Sequence, residues 1–450
     1  MHIGIIGGGF TGCLLAVQLL RQSKTPLAVT LIERGDEIGR GLAYGTRDPG
    51  HFLNVRVANM SALPDDPQHF HAWLTAEGDN VHASAFVPRM RYSDYIKDLF
   101  QKTVAQRAGT VTVSLVTGTA TAIHAGPQPR VDLADGRQLS FDRLALCTGN
   151  LPSAEPRGIT EAARNSGRYI NDPWRPGALA GIEPRHSVLI IGSGLTTADI
   201  LQSLSRQGHT TMVTIVSRHG LQPRPHRAAK PYKMTKPAGG LMQMFRTVRA
   251  EVRAAKAQGH DWRDVIDALR PWTRELWQGL SLPERARFLR HIRPYWEVYR
   301  HRVATPTEEG LETFRTQADG NGFEVRSGHL LSIDWKETHL EVVMRPRGRS
   351  DTMPLAMKWV INCTGPQGDY AKADNPLVRS AIAAGVIRPD ALKLGLDVTE
   401  EGAVIGRDGR PSPNIVAVGP PTRGAFWEIT AVPDIRAECA RMAEMLSRNQ

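Results

Sequence analysis

Three glycines near the N-terminus have the spacing of a phosphate-binding turn. Gly7, Gly9 and Gly12 follow a short apolar run and precede the helical apolar pattern of residues 14–20. In a strand–turn–helix unit, the first glycine makes the tight turn and the second lets the backbone approach a pyrophosphate. The third lets the helix pack on the strand, so that the helix N-terminus faces the anion. The sequence predicts a dinucleotide site here, with a glycine-rich packing turn as the alternative.

An acidic residue follows at the spacing of a ribose contact. Glu33 ends the apolar run of residues 28–32 and lies 33 − 12 = 21 residues after the third glycine. A carboxylate at this point accepts a hydrogen bond from a ribose 2′-hydroxyl. A later apolar strand, residues 141–147, ends in Thr148 and Gly149. We expect Glu33, Thr148 and Gly149 to belong to the same nucleotide site.

The pattern begins again near residue 188. The apolar run of residues 188–191 leads into Gly192 and Gly194, with an alanine at the close-packing position. The next strand ends in Ser217 and Arg218 rather than in an acid. A carboxylate there would repel a 2′-phosphate, whereas a hydroxyl and a guanidinium can bind one. The second site is predicted to bind NADPH, with NADH and a solvated surface role for Arg218 as alternatives.

The two halves of the chain also end alike. Residues 141–149 and 359–365 are both apolar strands that finish in Cys-Thr-Gly. A small β-meander is predicted before each, over about 111–140 and about 322–358. The chain therefore contains two copies of one nucleotide-binding plan.

These repeats predict an α/β fold with two Rossmann-like, three-layer dinucleotide-binding domains, the second inserted in the first. A last strand at residues 414–419 is expected to return to the first domain, which comprises residues 1–155 plus 366–450. The second domain comprises residues 156–365 and carries a helical segment at about 237–302. Two sites, one with an acidic ribose partner and one for a 2′-phosphate, indicate FAD in the first domain and NADPH in the second. A hydride donor that faces a flavin is typical of an enzyme.

The composition is that of an ordinary folded protein. The 450 residues are 41% hydrophobic and 22% charged, which argues against disorder and disulfide-stapled miniproteins. The formal net charge of +11 suits an anionic partner such as a phosphorylated cofactor, nucleic acid or a membrane surface. The four cysteines form no paired motif and no apolar run approaches a membrane span. We expect a cytoplasmic protein without a membrane segment, and the histidine spacing indicates no metal.

Four groups of residues resemble a bacterial family of FAD/NAD(P)-binding flavoproteins of the two-dinucleotide-domain class, which includes a FAD-dependent urate hydroxylase. They are residues 39–45 with 53–55 and 59–61, residues 191–199, residues 287–291 with 300–302, and residues 427–436. The resemblance implies a single-component monooxygenase that uses O2 to hydroxylate a small polar substrate, urate or an amine, through a C4a-hydroperoxyflavin. An NADPH-dependent flavin reductase and a non-catalytic FAD/NADPH-binding redox sensor are the alternatives. Because no redox cysteine pair is present, disulfide reduction is not expected.

The segments expected to meet at the flavin ring supply the candidate catalytic residues. These are Asn54, Asn59, Arg423, Trp427 and Glu428. The alternatives are turn chemistry for the two asparagines, a surface ion pair for the charged pair, and core packing for the tryptophan.

The last strand and the last helix supply two further cofactor contacts. Members of the wider class usually follow the glycine of the last strand with aspartate, but Gly419 is followed by proline. Thr430 lies just before the final helix, whose backbone N–H groups are expected to face the flavin N1–C2=O edge. Pro433 suits the first turn of such a helix.

Two basic stretches allow several interpretations. Residues 287–302 interleave arginines with aromatic residues, a pattern that fits an anionic small substrate, the NADPH phosphates, an amphipathic helix face or single-stranded nucleic acid. Residues 224–236 fit a basic loop beside the NADPH site or a plain linker. We expect no nucleic-acid partner, and the sequence leaves a homo-oligomer open.

Overall fold

Short apolar runs alternate with helical patterns along the chain and form two sheets with their helices. The computed structural model describes residues 1–107, 111–317 and 322–448. The strands are β1 His2–Ile6, β2 Leu27–Glu33, β3 Val111–Thr117, β4 Ala120–His124, β5 Arg130–Leu133, β6 Gln138–Ser140, β7 Arg143–Leu146, β8 Tyr169–Ile170, β9 Val188–Ile191, β10 Val213–Ser217, β11 Phe323–Lys336, β12 His339–Pro346, β13 Met353–Met357, β14 Trp359–Asn362, β15 Ala403–Ile405 and β16 Pro411–Ala417.

Helices accompany both sheets and fill the long segment of chain between β10 and β11. They are α1 Phe10–Gln22, α2 Gly41–Tyr44, α3 His69–Ala76, α4 Arg89–Gln106, α5 Glu161–Asn165, α6 Leu195–Arg206, α7 Leu241–Ala257, α8 Trp262–Leu269, α9 Thr273–Gln278, α10 Leu282–His291, α11 Arg293–Arg300, α12 Thr305–Gln317, α13 Pro376–Ala383 and α14 Val432–Ser447. Short 3₁₀ turns lie at Val57–Asn59, Arg270–Trp272, Tyr370–Lys372 and Pro420–Thr422. Among the described residues, no helix combines the length and hydropathy required to cross a bilayer.

The first sheet has the strand order β15-β16-β7-β1-β2-β3. Its strands pair in parallel except for β15, which is antiparallel to β16. Parallel strands must be covered on both faces, and β1, β2 and β7 are accordingly apolar and largely buried. Strand β16 pairs with β7, so the chain returns to the first sheet after completing the second. The carboxyl ends of β1 and β7 consequently meet at one edge.

The second sheet repeats this plan with an antiparallel extension. Its order is β13-β12-β11-β10-β9-β14-β8, with β9 parallel to both β10 and β14. The long strand β11 first pairs in parallel with β10 and then, beyond residue 327, antiparallel with β12. The predicted meander at 322–358 is therefore continuous with the parallel sheet. The α/β fold with two Rossmann-like sheets is confirmed.

The meander predicted at about 111–140 needs a correction. Strand β3 belongs to the first sheet, where it pairs in parallel with β2. Only β4, β5 and β6 form a separate antiparallel sheet. In the first copy the chain leaves the parallel sheet after Thr117, whereas in the second copy one continuous strand serves both pairings.

Candidate cofactor and substrate site

The first glycine turn leaves no room for larger side chains. Gly7 has a φ of +105°, and a Cβ on it would lie 2.4 Å from the carbonyl oxygen of Cys147. A Cβ on Gly12 would lie 1.8 Å from the carbonyl oxygen of Gly7, the close helix–strand packing expected of the third glycine. Gly9 precedes α1, and a Cβ there would lie 3.3 Å from the Cα of Gly41. This geometry fits a backbone that approaches a pyrophosphate.

Glu33 lies beside this turn at the end of β2. Its Oε2 accepts a hydrogen bond of 2.6 Å from the backbone N–H of Gly8, and its Oε1 accepts one of 3.1 Å from Gly35. Thr148 and Gly149 follow β7 at the same edge of the sheet, where a Cβ on Gly149 would meet no atom within 4 Å. The predicted residues of the first nucleotide site therefore lie around one open edge.

The second glycine turn has the same backbone geometry, and more free space lies in front of it. Gly192 has a φ of +103°, and a Cβ on it would lie 2.4 Å from the carbonyl oxygen of Cys363. Gly194 precedes α6 with a φ of −86°, and a Cβ there would meet no atom within 4 Å. The space before the N-terminus of α6 is thus free for an anion.

The end of β10 forms a basic patch beside this opening. Arg218 is exposed and makes no ion pair with a described residue, while Ser217 Oγ accepts a hydrogen bond of 2.9 Å from Ser193 Oγ. His219 lies 3.2 Å from Arg347, measured from Nδ1 to Nη1. Sequence reasoning missed Arg347 because it comes from the β12–β13 connection, far away along the chain. The patch suits a 2′-phosphate.

We predict that Arg218→Ala raises the KM for NADPH by roughly ten- to a hundredfold. The variant loses a charge-assisted hydrogen bond worth about 1.5–3 kcal/mol to the 2′-phosphate. The KM for NADH should stay unchanged, because NADH lacks that phosphate. The matched control is Arg185→Ala, since Arg185 is exposed just before the opposite end of β9. An unchanged NADPH-to-NADH preference in steady-state kinetics would remove Arg218 from the site.

A cavity of about 750 Å³ lies where the two halves of the chain meet. Asn54, Asn59 and Thr430 are on its wall, together with Ala43 and Tyr44 from α2. We call it the basic cavity, because its lining includes Arg56, Arg89, Arg227, Arg270, Arg300, Arg302, His226 and His301. Within the described residues, Asp267 is the one carboxylate on its wall. The structure thus brings together segments that lie far apart in the sequence.

Three of the arginines in the basic cavity are neutralised by close carboxylates. Arg89 pairs with Asp199 at 2.7 Å. Arg227 forms two hydrogen bonds with Glu308, and Arg302 forms two with Asp267.

The remaining arginines are less well matched. Arg56 donates only to the backbone carbonyls of residues 84 and 227. Arg270 lies 3.6 Å from Asp434, and Arg300 lies 3.4 Å from Glu428. Arg270 Nη2 and Arg300 Nε are buried and make no hydrogen bond to a described residue. Burial and the neighbouring Arg300 lower the pKa of Arg270, so an incoming anion would stabilise both cations.

Glu428 is a buried anchor behind the cavity. It is 4% exposed, and its φ of +74° is unusual for a residue other than glycine. Its Oε1 accepts a hydrogen bond of 2.7 Å from the indole N–H of Trp296 and lies 3.5 Å from His301 Nε2. Burial alone would raise the pKa of this carboxyl, but His301, Arg300 and Trp296 hold it well below its usual range. The charge of Glu428 therefore fixes the position of Arg300 and His301.

Arg423 and Trp427 lie on the far side of this anchor. Arg423 Nη2 lies 3.2 Å from Glu297 Oε1, and its guanidinium covers the ring of Trp427 at 4.7 Å. Trp427 is buried, stacks on Trp277 and lines a second cavity. The structure thus brings Asn54 and Asn59 to the basic cavity, while Arg423, Trp427 and Glu428 lie outside its lining.

Gly419 precedes the 3₁₀ turn at Pro420–Thr422, and Thr430 lies just before α14. Gly419 has a φ of +78°, and a Cβ on it would lie 2.8 Å from Thr11 Oγ1 in α1. Thr430, Ala431 and Val432 line the basic cavity, and α14 begins at Val432 with Pro433 in its first turn. The positive end of the α14 dipole therefore faces the cavity.

The basic stretches divide between the cavity and solvent. Residues 226–229 and 300–302 line the basic cavity, whereas Arg287 and Arg290 are exposed on α10. His226 Nε2 lies 3.0 Å from the carbonyl oxygen of Asn54, and burial lowers the pKa of this histidine to about 4. Because a carbonyl only accepts, His226 is the donor and is neutral near pH 7. Sequence reasoning missed His226 and Arg270, which carry no local motif.

The described ranges hold no cluster of three or more histidine, cysteine, aspartate or glutamate residues that could bind a metal ion.

Comparisons with known proteins give partial sequence similarities. Residues 4–151 match the model of a family described as FAD-NAD(P)-binding. The chain is 26% identical over 46% of its length to YdhS, an uncharacterized protein of Escherichia coli (strain K12). It is 29% identical over 38% of its length to L-aspartate N-monooxygenase (nitrosuccinate-forming) of Streptomyces davaonensis. These matches span 39% and 28% of the two relatives' own lengths.

The fold extends the similarity to the whole chain. The ornithine N-hydroxylase KtzI of Kutzneria sp. 744 superposes with a TM-score of 0.64 at 15% identity. The match covers 99% of this chain and 98% of KtzI. KtzI was solved with reduced FAD, NADP+ and L-ornithine. At this identity the similarity establishes a shared fold.

Proposed function

We propose that this protein is an FAD- and NADPH-dependent monooxygenase that hydroxylates the amino group of a small carboxylate-bearing substrate. The observation that carries the proposal is the basic cavity, where Arg270 and Arg300 pair with carboxylates only at 3.6 and 3.4 Å, and a buried nitrogen of each guanidinium makes no hydrogen bond to a described residue. An N-hydroxylating relative and an N-hydroxylase with the same fold support the reaction class.

FAD would be held by the first glycine turn and by the residues around it. The backbone at Gly9 and the N-terminus of α1 would bind the pyrophosphate, and Glu33 would accept from the ribose. The N-terminus of α14, reached through Thr430, would face the ring edge that gains negative charge on reduction. The cofactor supplies O2 activation and oxygen transfer once reduced.

NADPH would be held by the second turn. The open space at Gly194 and the N-terminus of α6 suit its pyrophosphate, and the patch at Arg218, His219 and Arg347 suits its 2′-phosphate. NADH would lack the second interaction. The protein's own contribution to hydride transfer is to orient the donor.

The substrate carboxylate would bind between Arg270 and Arg300. Glu428 is a positioning residue in this scheme, because it holds Arg300 and His301. The amide groups of Asn54 and Asn59 would bind the polar remainder of the substrate. His226 stays neutral near pH 7 and anchors Asn54 through its backbone carbonyl. The wall of the cavity would keep bulk water from the reacting atoms.

We predict that Arg270→Gln raises the KM for the carboxylate substrate at least about tenfold, because one charge-assisted hydrogen bond is lost. FAD content and the KM for NADPH should not change. The matched control is Arg287→Gln, since Arg287 is exposed on α10 and outside the cavity. Equal KM values for variant, control and parent would place the substrate elsewhere.

The function is tested by reducing the FAD-loaded protein with NADPH under anaerobic conditions and then admitting oxygen. L-Aspartate, L-ornithine, L-lysine and urate are supplied in parallel, because urate is the alternative that the sequence resemblance suggests. A hydroxylated amine with little hydrogen peroxide supports the proposal, and oxidised urate would replace it with urate hydroxylation. Peroxide alone with every substrate would favour a flavin reductase. Tight binding of both nucleotides without reduction would favour a redox sensor.

We also propose that the protein acts in the cytoplasm. The four cysteines are buried and free of disulfide bonds, which supports action in a reducing compartment. The reaction requires O2 and a small-molecule substrate as partners.

A further inference from the structure

A second cavity, of about 950 Å³, lies within the helical segment formed by α7 to α11. Most of its wall is apolar and includes Val248, Ile266, Leu276, Phe288 and Trp296. We call it the apolar cavity. Its volume is at the upper end of the range for small-molecule sites in proteins. The proposed reaction does not use it.

The apolar cavity is not closed over by the protein. Met244, Val248 and Val252 on α7 are only partly buried, and Phe245 on the same helix is 37% exposed. Across the opening, Tyr295 at the start of α11 is 49% exposed. Apolar side chains that converge on an open concave surface mark a binding site, because leaving them in water is costly.

The mouth of the apolar cavity carries unpaired positive charge. Arg249 and Arg253 are one helical turn apart on α7 and both line the cavity. Neither makes an ion pair or a side-chain hydrogen bond with a described residue, although Arg249 covers the ring of Phe245 at 5.6 Å. Arg224, also on the wall, covers the ring of Tyr299 at 5.8 Å. The opening is therefore complementary to an anionic group.

We propose that the apolar cavity binds an amphiphilic carboxylate, an acyl chain with a carboxylate head, of the chemical class of a free fatty acid. The chain would occupy the space between α7, α8 and α10, and the carboxylate would bind Arg249 and Arg253. The apolar cavity is separate from the basic cavity. Trp296 lines the apolar cavity, Arg300 lines the basic cavity, and Glu428 lies between them in contact with both side chains.

The test is isothermal titration calorimetry of the FAD-loaded full chain with dodecanoate. We expect dodecanoate to bind more than about a hundredfold tighter than acetate, because each buried methylene adds favourable transfer free energy. Dodecyltrimethylammonium, with the same chain and the opposite charge, should bind at least about tenfold more weakly. Equal affinity for acetate and dodecanoate, or no heat with dodecanoate at two well-separated temperatures, would overturn the proposal, because burial of apolar surface changes the binding enthalpy with temperature.

Two pairs of variants locate the site. Arg249→Glu with Arg253→Glu should weaken dodecanoate binding at least about tenfold, since both positions are exposed and the change is confined to charge. Arg246→Glu with Lys256→Glu is the matched control, because these exposed residues are on the same helix but outside the cavity lining. If the two double variants bind alike, α7 does not hold the carboxylate.

Two further measurements exclude other occupants. Arg270→Gln, in the basic cavity, should leave dodecanoate binding unchanged. Loss of dodecanoate binding in that variant would place the ligand in the proposed substrate site. Flotation with phosphatidylglycerol vesicles tests whether the basic, amphipathic α7 instead binds a membrane surface. Vesicle binding without a response to dodecanoate would overturn the proposal in favour of that surface.

Discussion

Gly194→Val should nearly abolish NADPH-driven flavin reduction while leaving the chain folded and FAD-bound. A Cβ added at this residue meets no protein atom within 4 Å, and its φ of −86° is ordinary for any amino acid. The new methyl groups would instead fill the space before α6 that the NADPH pyrophosphate is proposed to occupy. Loss of about two charge-assisted hydrogen bonds predicts a KM for NADPH raised by at least about a hundredfold.

Anaerobic stopped-flow reduction of the flavin at increasing NADPH concentration measures this effect. The matched control is Gly126→Val, because Gly126 lies in the turn after β4, where an added Cβ also meets little, its closest neighbour at 3.9 Å. Reduction of the Gly194→Val variant at the parental rate and NADPH concentration would contradict the second nucleotide site.

Gly9→Val should strip the protein of FAD. The side chain would enter the space where the backbone is proposed to approach the FAD pyrophosphate, and its Cβ would lie 3.3 Å from the Cα of Gly41. Displacing the turn at residues 39–45 adds an overpacking cost of about 1–3 kcal/mol, which alone corresponds to about five- to 150-fold weaker binding.

The flavin content of the purified variant, read from its visible spectrum after incubation with FAD, measures this prediction. Circular dichroism and thermal unfolding, compared with the parent stripped of FAD, separate loss of FAD from loss of the fold. NADPH binding to the second turn should survive, because that turn belongs to the other sheet. A folded variant with parental FAD content would contradict the first nucleotide site.

The two glycine predictions differ in what the protein itself tolerates. A Cβ at position 194 points into free space, so the Gly194→Val variant tests NADPH binding alone. Position 9 faces the turn at residues 39–45, so the Gly9→Val variant tests FAD binding and the packing of that turn together. By contrast, substitution of Gly7 or Gly12 would collide with backbone oxygens and test only folding.

The sequence alone determined both glycine turns and the repeated α/β plan. Gly7, Gly12 and Gly192 are constrained by contacts within a strand–turn–helix or with the adjacent strand, and those constraints are visible as spacing. The positions of Glu33 and Arg218 at strand ends follow from the same local geometry. Local backbone geometry leaves a local signature, which explains why these residues could be predicted from a single sequence.

Only the tertiary structure decided which residues share the basic cavity. Asn54, Arg270, Arg300 and Thr430 come from four distant segments and meet because β16 returns to β7 after the helical segment. The tertiary structure also showed Glu428 as a buried carboxylate bonded to Trp296, and it placed Trp427 on the wall of the apolar cavity. Contact of either residue with the flavin stays a prediction. Which carboxylate pairs with which arginine depends on their distance in the folded structure, and the spacing of residues in the sequence does not give that distance.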